Sequence, residues 1–134
     1  MVGIVLIAHE PLASALASSG VHVYACAPDV AEAQLAVLDV PPDVDVQALR
    51  AQAQSLVAQV NRGRGVLILT DVIGATPCNV ASQLIAHDHV AVVAGVNLPM
   101  LLRVLCYRRG TLAEVVQKAL DGGAQGVVEV TPNT

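Results

Sequence analysis

Three stretches of the chain are apolar without alternation: VGIVLIA at 2–8, GVLILT at 65–70 and VAVVAGV at 90–96. Runs of this length, rich in β-branched residues and lacking a polar face, suit strands buried on both sides of a parallel sheet. Between the first two lies VQALRAQAQSLVAQV (46–60), whose apolar positions recur at helical spacing behind the turn-forming PPDVD. AQLAVLDV (33–40) reads as a second strand. VHVYAC (21–26) has strand composition, but a strand there leaves a very short first helix, so the segment is placed at the end of a helix beginning near Pro11. Thr76 and Pro77 have the N-cap and N1 chemistry of another helix, running to about Ala86. Pro99 opens a further helix, TLAEVVQKALDGG (111–123) is a helix ending in glycines, and GVVEV (126–130) is a short final strand. Strands alternating with helices predict an open α/β sheet. With no repeat or linker along it, the chain of 134 residues reads as a single domain, 1–134.

Composition narrows the chemistry. Apolar residues make up 54% of the chain but aromatics only 1%, so the core must be Val, Leu, Ile and Ala. The formal charge is −4 and Lys118 is the single lysine, which leaves no basic stripe for nucleic acid or anionic lipid. Cys26, Cys78 and Cys106 are odd in number and form no CxxC, which argues against a zinc site and a disulfide framework; they read as small buried hydrophobes. The first segment lacks a basic n-region and no run of roughly 18 apolar residues occurs, so a cytoplasmic protein without membrane insertion is expected.

The polar residues that remain converge. In a parallel sheet the carboxyl ends of the strands share one edge, and ligands bind there where strand order reverses. His9 follows the first strand, Asp71 the third and Asn97 the fourth, so all three are expected at one crevice. A histidine in this place also serves as a helix cap or loop partner, and an aspartate alone as a turn former. Beside them, however, DVIGATPCN supplies a glycine turn and a capped helix N-terminus, whose unpaired N–H groups favour a phosphoryl group or other anion. HDH (87–89) precedes the fourth strand and belongs at the opposite edge; with no third ligand it reads as a solvated loop, and no metal is expected. His22, among apolar neighbours, reads as a partly buried structural residue. There is no GxxxxGK[ST], no GxGxxG after the first strand and no GxSxG elbow.

The strand ending in AHE, LTDVIGATPCNVAS (69–82) and AGVNLPMLLR (94–103) resemble, in order and spacing, the mannose-type IIA component of the bacterial phosphoenolpyruvate-dependent phosphotransferase system, over residues 2 to about 130. The resemblance implies a phosphohistidine carrier in sugar transport that takes a phosphoryl group from the phosphocarrier HPr and passes it to a IIB partner. It places the phospho-accepting histidine on His9, its partner aspartate on Asp71, and a small hydroxyl residue on Thr76, so that Gly74, Ala75 and Thr76 would bind the phosphoryl group. The family's Gly-Val-Asn-x-Pro-Met segment falls on Gly95 to Met100, making Asn97, Pro99 and Met100 site-lining. The implied fold is a four-stranded parallel sheet in the order 2-1-3-4 flanked by helices, with a fifth, antiparallel strand, here GVVEV, exchanged across a homodimer. Glu10 and Pro11 replace a glycine and a bulkier residue that often follow the histidine, and Val72, Ile73 and Ala75 replace the usual Thr, Trp and Gly; these departures bear on partner choice.

Elementary chemistry agrees. A histidine nitrogen is a usable nucleophile at neutral pH, and a carboxylate on the other N–H fixes the tautomer and supports developing positive charge. Phosphoryl transfer needs mostly positioning and charge stabilisation, so no cofactor is expected. Two other readings stay open: the IIA-like domain of a dihydroxyacetone kinase phosphotransfer chain, and a regulatory binding module whose phosphorylation state is sensed by a target.

Overall fold

The computed structural model describes residues 1–23, 31–85 and 89–134. Its first element, β1 (Gly3–His9), is buried at every position except the last. The chain continues through α1 (Leu12–Val23), β2 (Leu35–Val40), α2 (Val46–Val60), β3 (Val66–Thr70), α3 (Thr76–Gln83), β4 (Val90–Ala94), α4 (Leu98–Tyr107) and α5 (Leu112–Gln125). The four strands form one parallel sheet in the order β2-β1-β3-β4. This is the expected α/β fold and strand order.

Unbroken apolar strands make a core on each face. Ile4, Leu6, Ala8, Leu67 and Leu69 pack against α1, α4 and α5 through Ala13, Leu101, Val104, Leu105, Val115 and Ala119. Val5, Ile7, Val66 and Ile68 point the other way, onto Leu49, Ala53 and Val60 of α2 and Val80, Ala81 and Leu84 of α3. Each fully buried Val, Leu or Ile contributes about 1.5–3 kcal/mol, so both layers hold β1 and β3 rigidly beneath the loops that follow them.

From β1 the chain crosses to β2 on one side, then returns past β1 to β3 on the other. The order therefore reverses between β1 and β3, and the crevice at their carboxyl ends is the switch point. The opposite end of the sheet is closed by Arg108, 1% exposed, whose guanidinium donates to the carbonyls of Val2, Ala31 and Gln34. Burial pushes its pKa down to about 10, so it stays charged at neutral pH.

Several local expectations need correction. The helix over 112–125 runs through Gly122 and Gly123 instead of stopping there, because both face α4: a Cβ on Gly122 would lie 2.6 Å from the Cβ of Arg103, and one on Gly123 2.7 Å from the Met100 methyl. These glycines permit close helix packing and do not terminate the helix. GVVEV forms no strand within the chain; Gly126 caps α5, and Val127, Val128 and Val130 are 76%, 61% and 78% exposed.

His22 is exposed at the C-terminal end of α1, and Cys106 is exposed while Cys78 is buried. The segment 21–26 is helical as far as Val23; Tyr24 to Cys26, like Ala86 to Asp88, lie outside the described residues.

Candidate functional site

His9 ends β1 and Asp71 follows β3, so the parallel pairing of these two strands brings them together across the switch point. One carboxylate oxygen of Asp71, Oδ2, accepts both the backbone N–H of His9 at 3.0 Å and a bond with ring Nδ1 at 2.6 Å. The other oxygen, Oδ1, accepts the N–H of Val72 at 2.9 Å. Partial burial works to raise the Asp71 pKa, but these hydrogen bonds, first that of the His9 ring, together with the His9 charge, hold it below the ordinary carboxylate value.

An ionised carboxylate only accepts, so Nδ1 carries the proton and the neutral imidazole leaves its lone pair on Nε2. The side chain of His9 is 53% exposed and that of Asp71 12% exposed. The orienting group is thus sheltered, and the ring it orients faces solvent.

The loop after Asp71 carries Gly74 at φ 88°, with open space around its Cα; the left-handed backbone, and not crowding, is what requires glycine. That turn delivers the chain into α3. The N-cap is Ala75 and not Thr76, which moves to the first helical position with Pro77 behind it. Alanine offers no acceptor, and no side chain caps this helix.

The other described helices differ. Asp39 Oδ1 accepts from Ser14 in the first turn of α1, Asp45 from Gln47 in α2, Asn97 from Met100 in α4, and Thr111 from Glu114 in α5. Two helix N-termini thus flank the crevice. A carboxylate already occupies that of α1, and no side chain takes the first-turn N–H groups of α3.

The expected lining residues sit differently. Asn97 caps α4 through its oxygen and donates its amide to the Gly123 carbonyl at 3.1 Å, Met100 is 4% exposed in the core, and a Cβ on Gly126 would collide with the Pro99 ring. Each of the three thus has a contact with α5. Sequence reasoning missed Asp39, whose one signal was a charge near the end of an apolar strand. It also missed Thr70, 0% exposed with a hydroxyl that has no partner among the described residues. No group of three or more His, Cys, Asp or Glu among the described residues is placed to hold a metal, and no described helix is long and apolar enough to cross a membrane.

The site this α/β fold presents is thus a histidine bonded to a carboxylate across the switch point of a four-stranded parallel sheet. The family described as phosphotransferase system fructose IIA component matches residues 3–120, and the chain belongs to that family. Among relatives, the mannose-specific EIIAB component of Escherichia coli K12 is 33% identical over 93 residues, covering 67% of this chain and 29% of that protein. The fructose-specific EIIA component of Bacillus subtilis is 39% identical over 64 residues, 47% of this chain and 44% of its own. The chain therefore spans less than half of either relative.

Solved structures share the fold along nearly the whole chain. The mannose/sorbose-specific IIA subunit of Enterococcus faecalis superposes with a TM-score of 0.82 at 22% identity, covering 97% of this chain and 95% of that one. EIIA from Streptococcus agalactiae gives 0.81 at 23% identity, covering 96% and 97%.

Proposed function

We propose that this protein is a phosphohistidine carrier: His9 accepts a phosphoryl group from HPr and passes it to a IIB partner, in sugar uptake by the phosphotransferase system. The observation that carries the reading is the 2.6 Å bond between His9 Nδ1 and Asp71 Oδ2, which leaves Nε2 unprotonated and exposed beside an uncapped helix.

In the forward step the Nε2 lone pair attacks phosphorus on the donor's phosphohistidine. The Nε2–P bond forms as the donor's P–N bond breaks, and the bonding pair returns to the donor ring. The proton on Nδ1 stays where it is, and the positive charge that spreads over the ring is met by Asp71. The transferred group is close to metaphosphate, so charge stabilisation matters most. Backbone N–H groups of Thr76 and Cys78 at the start of α3, the turn at Gly74 and Ala75, and the Thr76 hydroxyl are suited to receive its oxygens. Transfer to the next carrier reverses these events.

The exposed Val127, Val128 and Val130 support a second element of the reading, a homodimer in which residues 126–130 add as an antiparallel strand to a partner's sheet. Such pairing would satisfy their backbone groups and cover an edge.

The test is to load the protein with phosphoenolpyruvate, enzyme I and HPr, then examine the imidazole by long-range proton–nitrogen NMR. One acid-labile, base-stable phosphoryl group on Nε2 of His9, with Nδ1 protonated, is expected. A phosphoryl group on Nδ1 would overturn the role given to Asp71, and no phosphoryl group at all would overturn the carrier.

A further inference from the structure

Thr70 ends β3, in register with Ile7 of β1 and Ala94 of β4, and is peptide-bonded to Asp71. Its backbone carbonyl accepts from Val96 N–H at 2.9 Å. The residue is 0% exposed, and its hydroxyl has no hydrogen-bond partner among the described residues.

Valine has the same shape without the hydroxyl, and a buried polar group without a partner is a net cost to folding. The hydroxyl therefore calls for a use.

Strand alternation says where it points. Val66 and Ile68 of β3 face α2 and α3, and Thr70 is next in that series. It lies at the carboxyl end of the strand, on the α3 face, under the 71–76 loop. Val5 and Ile7 take the same face on β1, and His9 is next in theirs. The unpartnered hydroxyl thus underlies the one described helix whose N-terminus no side chain caps, beside the residue proposed to be phosphorylated.

We infer that Thr70 is a positioning residue whose hydroxyl finds its hydrogen-bond partner in the backbone of the 71–76 loop when that loop draws in around a phosphoryl group on His9. The inference rests on the carrier reading above. In the unloaded protein the hydroxyl has no partner among the described residues, and no side chain caps the first-turn N–H groups of α3. A dianion at Nε2 attracts those N–H groups, and the hydroxyl beneath secures the loop that bears them and the Asp71 carboxylate. Thr70 touches neither the phosphoryl group nor the ring.

The experiment compares wild type, Thr70→Val and Thr70→Ser for three quantities: the equilibrium constant of phosphoryl exchange with HPr, the KM for phosphorylated HPr, and the melting temperature of unloaded protein. Thr70→Val is expected to shift the equilibrium about fivefold to tenfold away from the loaded form, the worth of one neutral hydrogen bond. Its KM should be unchanged and its unloaded form at least as stable as wild type. Thr70→Ser should restore the equilibrium.

A Val variant that exchanges like wild type would overturn the inference while leaving the carrier intact. So would one destabilised in the unloaded form, because the hydroxyl would then have a resting partner. Wild type that takes no phosphoryl group would overturn the carrier reading and this inference with it.

Discussion

Asp71 holds His9 twice with a single oxygen: Oδ2 takes the backbone N–H at 3.0 Å and the ring Nδ1 at 2.6 Å. The two bonds tie the ring to the end of its own strand, so tautomer and ring orientation are fixed together. Asp71→Asn keeps the shape but removes the charge, and its amide can present a donor to Nδ1, favouring the wrong tautomer. In the serine protease triad the corresponding change costs about 10⁴ in rate. Phosphoryl transfer leans less on a base, so the single-turnover rate from phosphorylated HPr should fall roughly 10² to 10³, with the circular dichroism spectrum unchanged. An Asn variant within about threefold of wild type would remove Asp71 from the mechanism.

The same carboxylate makes stability depend on pH. Its folded pKa lies below the unfolded value of 3.8, so its contribution is complete above that value and is lost as pH falls through the lower, folded one. The stability gap between wild type and Asp71→Asn should therefore narrow as pH falls below 3.8. Urea midpoints over a pH series measure it. A gap that does not narrow below that pH would contradict the assignment.

How much of this was legible in the sequence follows from what kind of information each feature needs. β1 and β3 are the two central strands, and strands covered on both faces announce themselves as unbroken apolar runs. Once those strands are placed, His9 and Asp71 meet because parallel strands share a carboxyl edge.

Features that depend on a neighbouring element were hidden. Thr76 looked like an N-cap, but the turn at Gly74 sets the helix start one residue earlier and gives the cap to Ala75. Gly122 and Gly123 looked like a stop, but they are where α5 meets α4. Asn97 looked like a crevice residue by its place after β4, yet its oxygen caps α4 and its amide N–H reaches the Gly123 carbonyl of α5. Asp39 caps a helix 25 residues away in sequence, and Thr70 is notable only because its buried hydroxyl has no hydrogen-bond partner among the described residues.

The mouth of the site predicts where partners read this chain. Val72 and Ile73 are 49% and 80% exposed directly after Asp71, an apolar rim in a loop that a docking carrier must touch to reach His9. Ile73→Lys should raise the KM for phosphorylated HPr about tenfold through lost apolar contact, with kcat and melting temperature little changed. Steady-state transfer kinetics check this; an unchanged KM would place docking elsewhere.

Assembly is tested by ending the chain after Gly126, which keeps α5 and its cap but removes the exposed Val127, Val128 and Val130. Light scattering at micromolar concentration should give a dimer for the full chain and a monomer for the shortened one. A monomeric full chain would contradict strand exchange.

The central claim is that His9 carries the phosphoryl group, and intact mass of wild type and His9→Ala after incubation with phosphoenolpyruvate, enzyme I and HPr tests it most directly. His9 is exposed at a strand end and contributes little packing, so the Ala variant should fold normally. The account predicts one added phosphoryl group on wild type, lost in acid and kept in base, and none on His9→Ala. A labelled Ala variant, or a label that maps to His22 or His89, would contradict it.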